Sequence, residues 1–142
     1  MKYLITLKSA MLYTLVLGFL SACTNNTNTR DISANDLANQ LGNSKIFILD
    51  VRTPQEYAAG HVPGAINIAH TSVASKIKTE TLQELKNETI VIYCKSGRRA
   101  SMAEQTLASA GFKKLLHLDG DMDGWQKGNY PIEKYTHDKP VI

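Results

Sequence analysis

The stretch "IVIYCKSGRRAS", Ile90–Ser101, joins an apolar run of β-branched and aromatic residues to a cysteine, a glycine and two arginines. The apolar run has the length and composition of a buried central strand, which we predict over Thr89–Tyr93. The residues after the cysteine, Arg98–Gly111, carry apolar side chains at helical spacing and end on a glycine, which predicts a helix. Cys94 is therefore expected at the carboxyl end of a strand, just before a helix.

The rest of the chain repeats this alternation of strands and helices. One helix has a complete start signal, because Thr53 is a good N-cap, Pro54 suits the first helical position and Glu56 completes a capping box. Strands that alternate with helices predict an α/β fold, a parallel sheet flanked by helices on both faces. The predicted strands are Lys45–Asp50, Ala65–Ile68, Thr89–Tyr93 and Leu115–Leu118, and the predicted helices are Ser33–Leu41, Thr53–Gly60, Thr81–Lys86 and Arg98–Gly111.

The loop after the central strand suits an anion. Ligands of open α/β sheets bind at the carboxyl ends of the strands. Gly97 permits a tight turn with inward-facing backbone N–H groups, and the positive end of the next helix, with Lys95, Arg98 and Arg99, adds to the attraction. A thiolate is such an anion, so this setting predicts a nucleophilic Cys94. A buried core cysteine is the alternative, but it is not expected beside Lys, Ser, Gly, Arg and Arg.

The first 22 residues have the pattern of an export signal. Lys2 and Lys8 give a positive start, Ser9–Leu20 is a short apolar segment, and the small residues Ser21 and Ala22 follow it. An uncleaved membrane anchor is the alternative, but the apolar segment is shorter than the roughly 20 residues that a spanning helix needs. We therefore predict a cleaved signal peptide over residues 1–22.

The tetrad that ends this segment, Leu20–Cys23, resembles the lipobox of bacterial lipoproteins, in which the cysteine becomes the lipidated first residue. Several acyl chains on Cys23 would hold the protein at a bilayer surface. Thr24 follows the cysteine, which by the same resemblance favours the outer membrane. The polar run Thr24–Arg30 reads as a flexible tether. The resemblance thus implies a lipid-anchored, periplasm-facing protein of the bacterial envelope, with its folded domain over residues 31–142.

Composition and charge fit one globular domain. The chain has 142 residues, of which 43% are hydrophobic and 20% charged. Without Lys2 and Lys8 the Lys+Arg count falls from 16 to 14 while Asp+Glu stays at 13, so the net charge of the mature chain is +1 instead of +3. With neither a clustered basic helix nor an aromatic stripe, no nucleic-acid partner is expected.

The two cysteines restrict the role of Cys94. If Cys23 carries lipid, Cys94 is the only free thiol, and no intramolecular disulfide can form even in an oxidising compartment. Zinc is not expected, because the histidines show no paired spacing with Cys94. These histidines are His61, His70, His117 and His137.

Three motifs together resemble the single-domain rhodaneses, which are sulfurtransferases. They are "DVRTPQEYAAGHVPGAINI" (Asp50–Ile68), "IVIYCKSGRRAS" and "LDGDMDGWQKGNYPI" (Leu118–Ile132), and in this order they span nearly the whole mature chain. The resemblance implies the rhodanese fold and a persulfide carried by Cys94. It also implies a substrate-binding loop, with the two arginines facing the sulfonate of thiosulfate or the leaving sulfite. The residues of this loop are Lys95, Ser96, Gly97, Arg98 and Arg99.

The implied reaction needs no cofactor. The thiolate attacks the outer sulfur of thiosulfate, sulfite leaves, and the loop amides hold the sulfur that remains on Cys94. Cyanide, a small thiol or the cysteine of another protein then collects this sulfur. No separate general base is required if the thiol is already ionised. The physiological donor and acceptor, and the oligomeric state, are left open.

Two other functions compete with sulfur transfer. Phosphatase relatives of the fold resemble C-x5-R, which would need an arginine at position 100, where this chain has Ala100. The shorter loop suits a sulfur atom better than a phosphate group, so phosphate or arsenate chemistry is the more distant alternative. The other alternative is a non-catalytic lipoprotein that uses the scaffold to hold a partner or an anion. Such a protein would not need a thiol.

Six further motif residues are assigned by the same resemblance or by their local setting. Asp50, Arg52 and Glu56 resemble the family's structural ion-pair and hydrogen-bond set, and Arg52 and Glu56 have helical i, i+4 spacing. We expect them to support the scaffold. His61, in a Gly/Pro-rich turn, is expected to make local hydrogen bonds and not to act as a base. Trp125 is expected in the core or at the pocket edge, and Asp121 replaces the family's usual glycine.

Overall fold

The structure is a computed structural model, and it describes residues 30–134. The predicted signal peptide, the lipidation site Cys23 and His137 lie outside the described residues. The first strand begins at Arg30, the last residue of the predicted tether. Among the described helices, none is long and apolar enough to cross a membrane.

Five parallel strands form one sheet in the order β1-β5-β4-β2-β3. The predicted fold class, a parallel α/β fold flanked by helices, is confirmed. The strands are β1 Arg30–Ile32, β2 Ile46–Asp50, β3 Ile66–Asn67, β4 Thr89–Tyr93 and β5 Lys114–Leu118. The helices are α1 Ala34–Ala38, α2 Pro54–Ala59, α3 Val73–Lys76, α4 Glu80–Glu84, α5 Arg98–Ser109 and α6 Asp121–Lys127, with 3-10 turns at His70–Ser72 and Leu85–Asn87.

The alternating side chains of β4 enter two separate apolar clusters, one on each face of the sheet. Ile90 and Ile92 pack in the cluster that receives α3, α4 and α5, whereas Val91 and Tyr93 pack in the cluster that receives α1 and α6. A strand buried on both faces reads as a continuous apolar run, which is what the sequence has here. The double burial makes β4 the rigid centre from which the cysteine loop departs.

Helix starts follow the local sequence signals. The Thr53 hydroxyl accepts from the Glu56 backbone N–H, and the Glu56 carboxylate accepts from the Thr53 N–H, so the predicted capping box of α2 is present with Pro54 in its first turn. Ser33 caps α1 by accepting from the Asp36 N–H at 3.1 Å. The predicted helix over Ser33–Leu41 is shorter in the structure, because α1 ends at Ala38.

One strand and two α-helices were not predicted. Strand β1 has three residues and α3 has four, and both are too short for a periodic pattern to appear. Helix α6 contains Gly124, and glycine is a poor helix former. Helix α6 still matters for the cysteine loop, since the Met122 N–H donates to the Cys94 carbonyl and the Asp123 N–H donates to the Lys95 carbonyl, both at 3.1 Å.

Candidate active site

The cysteine loop folds back so that its own backbone meets the sulfur. Cys94 follows β4, and the Gly97 N–H donates to Cys94 Sγ at 3.2 Å, directly before α5 begins at Arg98. Gly97 has a φ of +93°, and a Cβ there would lie 3.1 Å from Asp121 Oδ2. Only glycine fits both conditions. The sulfur therefore accepts an amide hydrogen bond at the positive end of a twelve-residue helix, a setting that stabilises negative charge.

Cys94 is nevertheless buried, with only 1% of its surface exposed, and it packs in the apolar cluster beneath α5. The expectation that a cysteine beside charged residues lies outside the core was wrong. Cys94 is buried because it directly follows β4, the central strand, where helices cover it. The next two residues, Lys95 and Ser96, are exposed. A reagent must therefore approach the sulfur through the loop.

The two arginines of the loop have different surroundings. Arg99 makes a bidentate ion pair with Glu56, at 2.7 Å from Nη1 to Oε2 and 2.8 Å from Nη2 to Oε1. The hydrogen bonds from Arg99 lower the pKa of Glu56 to about 2, although burial acts in the opposite direction. Arg98 is exposed. Arg98 is thus the more exposed of the two, whereas Arg99, whose side chain is 24% exposed, ties the start of α5 to α2.

Arg99 also interacts electrostatically with Cys94. The bond to Glu56 is the main cause that raises the pKa of Arg99, and interaction with Cys94 raises it further. Although Arg52 and Glu56 have i, i+4 spacing in the sequence, Arg52 precedes α2, which begins at Pro54, so this spacing does not place the two residues on one helix face. The partner of Glu56 comes from α5.

A buried cluster of Asp50, Arg52 and Tyr93 fixes the strand ends beside the loop. The Asp50 carboxylate is fully buried and accepts from the Arg52 backbone N–H, Nε and Nη2 at 2.6–3.0 Å and from the Tyr93 hydroxyl at 2.6 Å. Arg52 Nη2 also donates to the Gly60 carbonyl at 2.8 Å. Tyr93 ends β4, so this cluster locks the residue that immediately precedes Cys94.

His61 and Trp125 lie among local partners. His61 Nδ1 is 2.9 Å from the Tyr57 carbonyl oxygen, and its ring stacks on that of Tyr57 with centroids 3.7 Å apart. The His61 backbone also exchanges hydrogen bonds with Glu133. Trp125 is fully buried in the second apolar cluster, and its Nε1 donates to the Pro131 carbonyl at 2.7 Å. Both residues thus support the fold around the loop.

The sequence did not indicate a charged network beneath the loop. His117, in β5, has Nδ1 at 2.5 Å from Glu104 Oε1 and Nε2 at 3.1 Å from Asp121 Oδ2. The other oxygen of Asp121, Oδ1, accepts from the Cys94 backbone N–H at 2.7 Å. The only sequence signal was Asp121 in place of glycine, and its φ of 51° is the left-handed conformation that glycine adopts freely.

The two carboxylates make His117 a strong base. Hydrogen bonds to Asp121 and Glu104 raise the pKa of His117 from 6.5 to about 10, against the effect of its burial. The ring is then protonated at neutral pH, and both nitrogens donate. Within the part of the chain that is described, no group of three His, Cys, Asp or Glu side chains is arranged to hold a metal ion.

Stability should therefore fall with rising pH. The folded state holds the His117 proton more tightly than the unfolded state, so the contribution is complete below about pH 6.5 and disappears as the pH passes about 10. We expect a loss of roughly 1–3 kcal/mol in unfolding free energy across this window. Denaturant titrations of the wild type and of His117→Gln test this, since the variant should lack most of the slope. Equal slopes would contradict the assignment.

A cleft of about 240 Å³ opens beside the loop, between α2 and α6. Lys95 lies at one side and Glu56, the partner of Arg99, at another. The lining is about half polar and half apolar, and its charged side chains carry both signs of charge. The lining residues are Arg52, Glu56, Ala59, Gly60, Lys95, Met122, Asp123 and Gln126.

Comparison with known proteins gives consistent results. The family model described as "Rhodanese-like domain" matches residues 33–128. An uncharacterised Synechocystis protein is 30% identical over 96 residues, covering 68% of this chain and 51% of its own length. A putative sulfur carrier protein of Bacillus subtilis is 40% identical over 78 residues, covering 55% and 40%. The chain thus spans about half or less of the length of these relatives.

Among solved structures, the human single-domain sulfurtransferase superimposes with a TM-score of 0.62 at 27% identity. The match covers 70% of this chain and 96% of the human chain. The family match over residues 33–128 includes strands β2 to β5 and the cysteine loop, whereas β1 precedes it.

Proposed function

The chain belongs to the rhodanese-like domain family, and from this we propose that it transfers sulfane sulfur from thiosulfate, or a related donor, to a thiophilic acceptor through a persulfide on Cys94. One observation carries the proposal: the Gly97 N–H meets Cys94 Sγ at 3.2 Å at the start of α5. A fixed donor aimed at the sulfur stabilises negative charge there before and after the transfer.

The proposed reaction has two displacement steps. The Cys94 thiolate attacks the outer sulfur of thiosulfate, a sulfur–sulfur bond forms, and the original bond breaks so that its electron pair leaves with sulfite. Cyanide or a thiolate then attacks the outer sulfur of the persulfide and releases the Cys94 thiolate. No net oxidation occurs across the cycle with cyanide, which is converted to thiocyanate. The buried sulfur favours small, narrow reactants.

We assign the donor's sulfonate to Arg98 and Lys95. Both side chains are exposed at the loop, and Lys95 lines the adjacent cleft. A guanidinium matches the geometry of an oxyanion well. Arg99 is assigned a different part, because its two Nη donors are held by Glu56 while it interacts with Cys94. It orients the loop and adds positive charge beside the thiolate.

This division predicts different kinetic effects of the two arginines. Arg98→Ala should raise KM for thiosulfate about tenfold with little change in kcat, since it removes a binding contact. Arg99→Ala should instead lower kcat, because the loop loses its tie to α2 and Glu56 is left unpaired. Steady-state thiocyanate formation at varied thiosulfate measures both, with Arg30→Ala, at an exposed arginine of the edge strand β1, as a control. Identical effects of the two variants would contradict the assignment.

A donor comparison tests the activity. Turnover is measured with thiosulfate, with other sulfane-sulfur donors and with an aryl phosphate, using cyanide or a small thiol as acceptor. Sulfur transfer without phosphate release is the expected result. Release of phosphate from the aryl ester without sulfur transfer would overturn the proposal and favour the phosphatase alternative.

We further propose that the protein is a lipoprotein anchored through Cys23 to the bacterial envelope and facing the periplasm, preferentially at the outer membrane. The lipobox-like tetrad Leu20–Cys23 supports this. Fractionation of cells that express the full chain provides the test: the wild type should sediment with membranes, and Cys23→Ser should not acquire lipid. Recovery of an unlipidated wild-type protein would contradict the anchor.

A further inference from the structure

The network of Glu104, His117 and Asp121 lies directly beneath the cysteine loop. We propose that Asp121 is a positioning residue for Cys94, and that His117, held by Glu104, supplies the positive charge that keeps the Asp121 carboxylate from opposing the sulfur anion. The inference rests on the proposed function, because the anion concerned is the Cys94 thiolate that takes part in sulfur transfer. Asp121 bonds directly to the loop, and His117 and Glu104 act through Asp121.

Asp121 fixes the first residue of the loop. Its Oδ1 accepts the Cys94 backbone N–H at 2.7 Å, and its Oδ2 lies against Gly97, where an added Cβ would come within 3.1 Å. Both ends of the turn that encloses the sulfur therefore contact one carboxylate. Asp121 is itself only 3% exposed. A buried carboxylate with fixed partners holds a loop more rigidly than solvent does.

A carboxylate at this position would ordinarily oppose the thiolate. A like charge near an ionisable group disfavours its charged form, and Asp121 bonds to the same residue that carries the sulfur. His117 resolves this conflict, because its Nε2 meets Asp121 Oδ2 at 3.1 Å and the ring is also 3.7 Å from the Gly97 Cβ position. The positive ring thus pairs directly with the carboxylate oxygen that lies against Gly97.

Glu104 keeps this charge in place. It is 6% exposed and bonds to His117 Nδ1 from α5, the helix that starts at the loop. With Asp121 on the opposite nitrogen, the ring stays protonated across neutral pH. Other charges near the network are Asp31 and Asp119, which line the cavity of about 500 Å³ next to His117. They add negative charge and so favour the same protonated state.

The sulfur also meets charges from other elements. Arg99 of α5, paired with Glu56 of α2, interacts with Cys94, while Lys95 and Arg98 are exposed on the loop. The buried Asp50–Arg52 pair is close to neutral as a unit and lies behind Tyr93. None of these groups changes when Asp121 or His117 is replaced, so the two sites can be tested against a constant background.

The experiment follows thiolate formation by ultraviolet absorbance as a function of pH in the full chain. For each variant, the absorbance of its Cys94→Ser counterpart is subtracted from that of the variant. This difference removes the absorbance of the tyrosines and of Cys23. Asp121→Asn keeps an oxygen for the Cys94 N–H but loses the charge, so the titration midpoint should fall by about one pH unit. His117→Gln leaves the carboxylate uncompensated, so the midpoint should rise by about the same amount. The double variant should return close to the wild type.

A purely structural role cannot produce opposite shifts. Shifts in the same direction, or none, would overturn the proposal. Asp36→Asn, the same chemical change at an exposed carboxylate of α1, serves as the matched control and should leave the midpoint unchanged. If His117→Gln does not fold, Asp121→Asn and Asp121→Gly decide, because both suit a φ of 51° and both must lower the midpoint. The titration needs no sulfur donor, so it is independent of whether thiosulfate is turned over.

Discussion

Replacing Cys94 with serine is expected to abolish sulfur transfer. The wild type incubated with thiosulfate should gain the mass of one sulfur atom, and Cys94→Ser should gain none. Thiocyanate formation from cyanide should fall by at least about a thousandfold, because a serine hydroxyl is not ionised near neutral pH and cannot form a persulfide. Intact-protein mass spectrometry and a thiocyanate assay measure the two effects.

The substitution is small enough to separate chemistry from folding. Cys94 is packed in the core, and serine has a similar shape and a slightly smaller side chain without the reactive sulfur. Cys23→Ser is the matched control, since it removes the other cysteine and should retain the sulfur adduct. An unchanged mass of the wild type would contradict the proposed function. Full biological function in Cys94→Ser would favour a binding lipoprotein that does not use its thiol.

The strand and helix pattern of this chain was readable because its signals are local. The capping box of α2 lies within four residues, and the apolar run of β4 matches the observed strand Thr89–Tyr93. The placement of Cys94 at the end of that strand follows from these two kinds of signal. Its burial does not, because burial depends on β4 being central, which is set by strand order and not by neighbouring residues.

The partners of the loop were hidden for the same reason. Glu56 and Arg99 are 43 residues apart, and Asp121 and Cys94 are 27 residues apart. The sequence placed Asp50, Arg52 and Glu56 in one structural set without indicating Arg99, and in the structure Arg52 pairs with Asp50 while Glu56 pairs with Arg99. Contacts between separate elements require the sheet topology, so the charged supports of the loop could not be deduced before the fold was known.

These supports approach the loop from three sides. Asp121 holds the Cys94 N–H from α6, Glu56 holds Arg99 from α2, and Asp50 holds the Tyr93 hydroxyl from β2. The surroundings of the sulfur are therefore held in place by residues that do not react themselves. Such preorganisation reduces the rearrangement needed when charge develops on the sulfur. It also concentrates buried charge in a small volume, which links the stability of the domain to its active loop.

The largest stability effect is expected from the Asp50–Arg52 pair. Arg52→Leu should lower the unfolding free energy by about 3–5 kcal/mol, because the fully buried Asp50 carboxylate loses its counter-ion and keeps only the Tyr93 hydroxyl and a backbone N–H. Denaturant unfolding followed by circular dichroism measures this loss. Arg30→Leu, at an exposed arginine, should change stability by no more than about 0.5 kcal/mol.

A second substitution identifies the cause of that loss. If an unpaired charge is responsible, Asp50→Asn in the Arg52→Leu background removes it and should recover part of the stability, although Asp50→Asn alone leaves Arg52 without its carboxylate. If lost packing of the arginine stem is responsible, the double variant should be no more stable than Arg52→Leu. A loss below about 1 kcal/mol in Arg52→Leu would mean that the pair is not a main support of the strand end before Cys94.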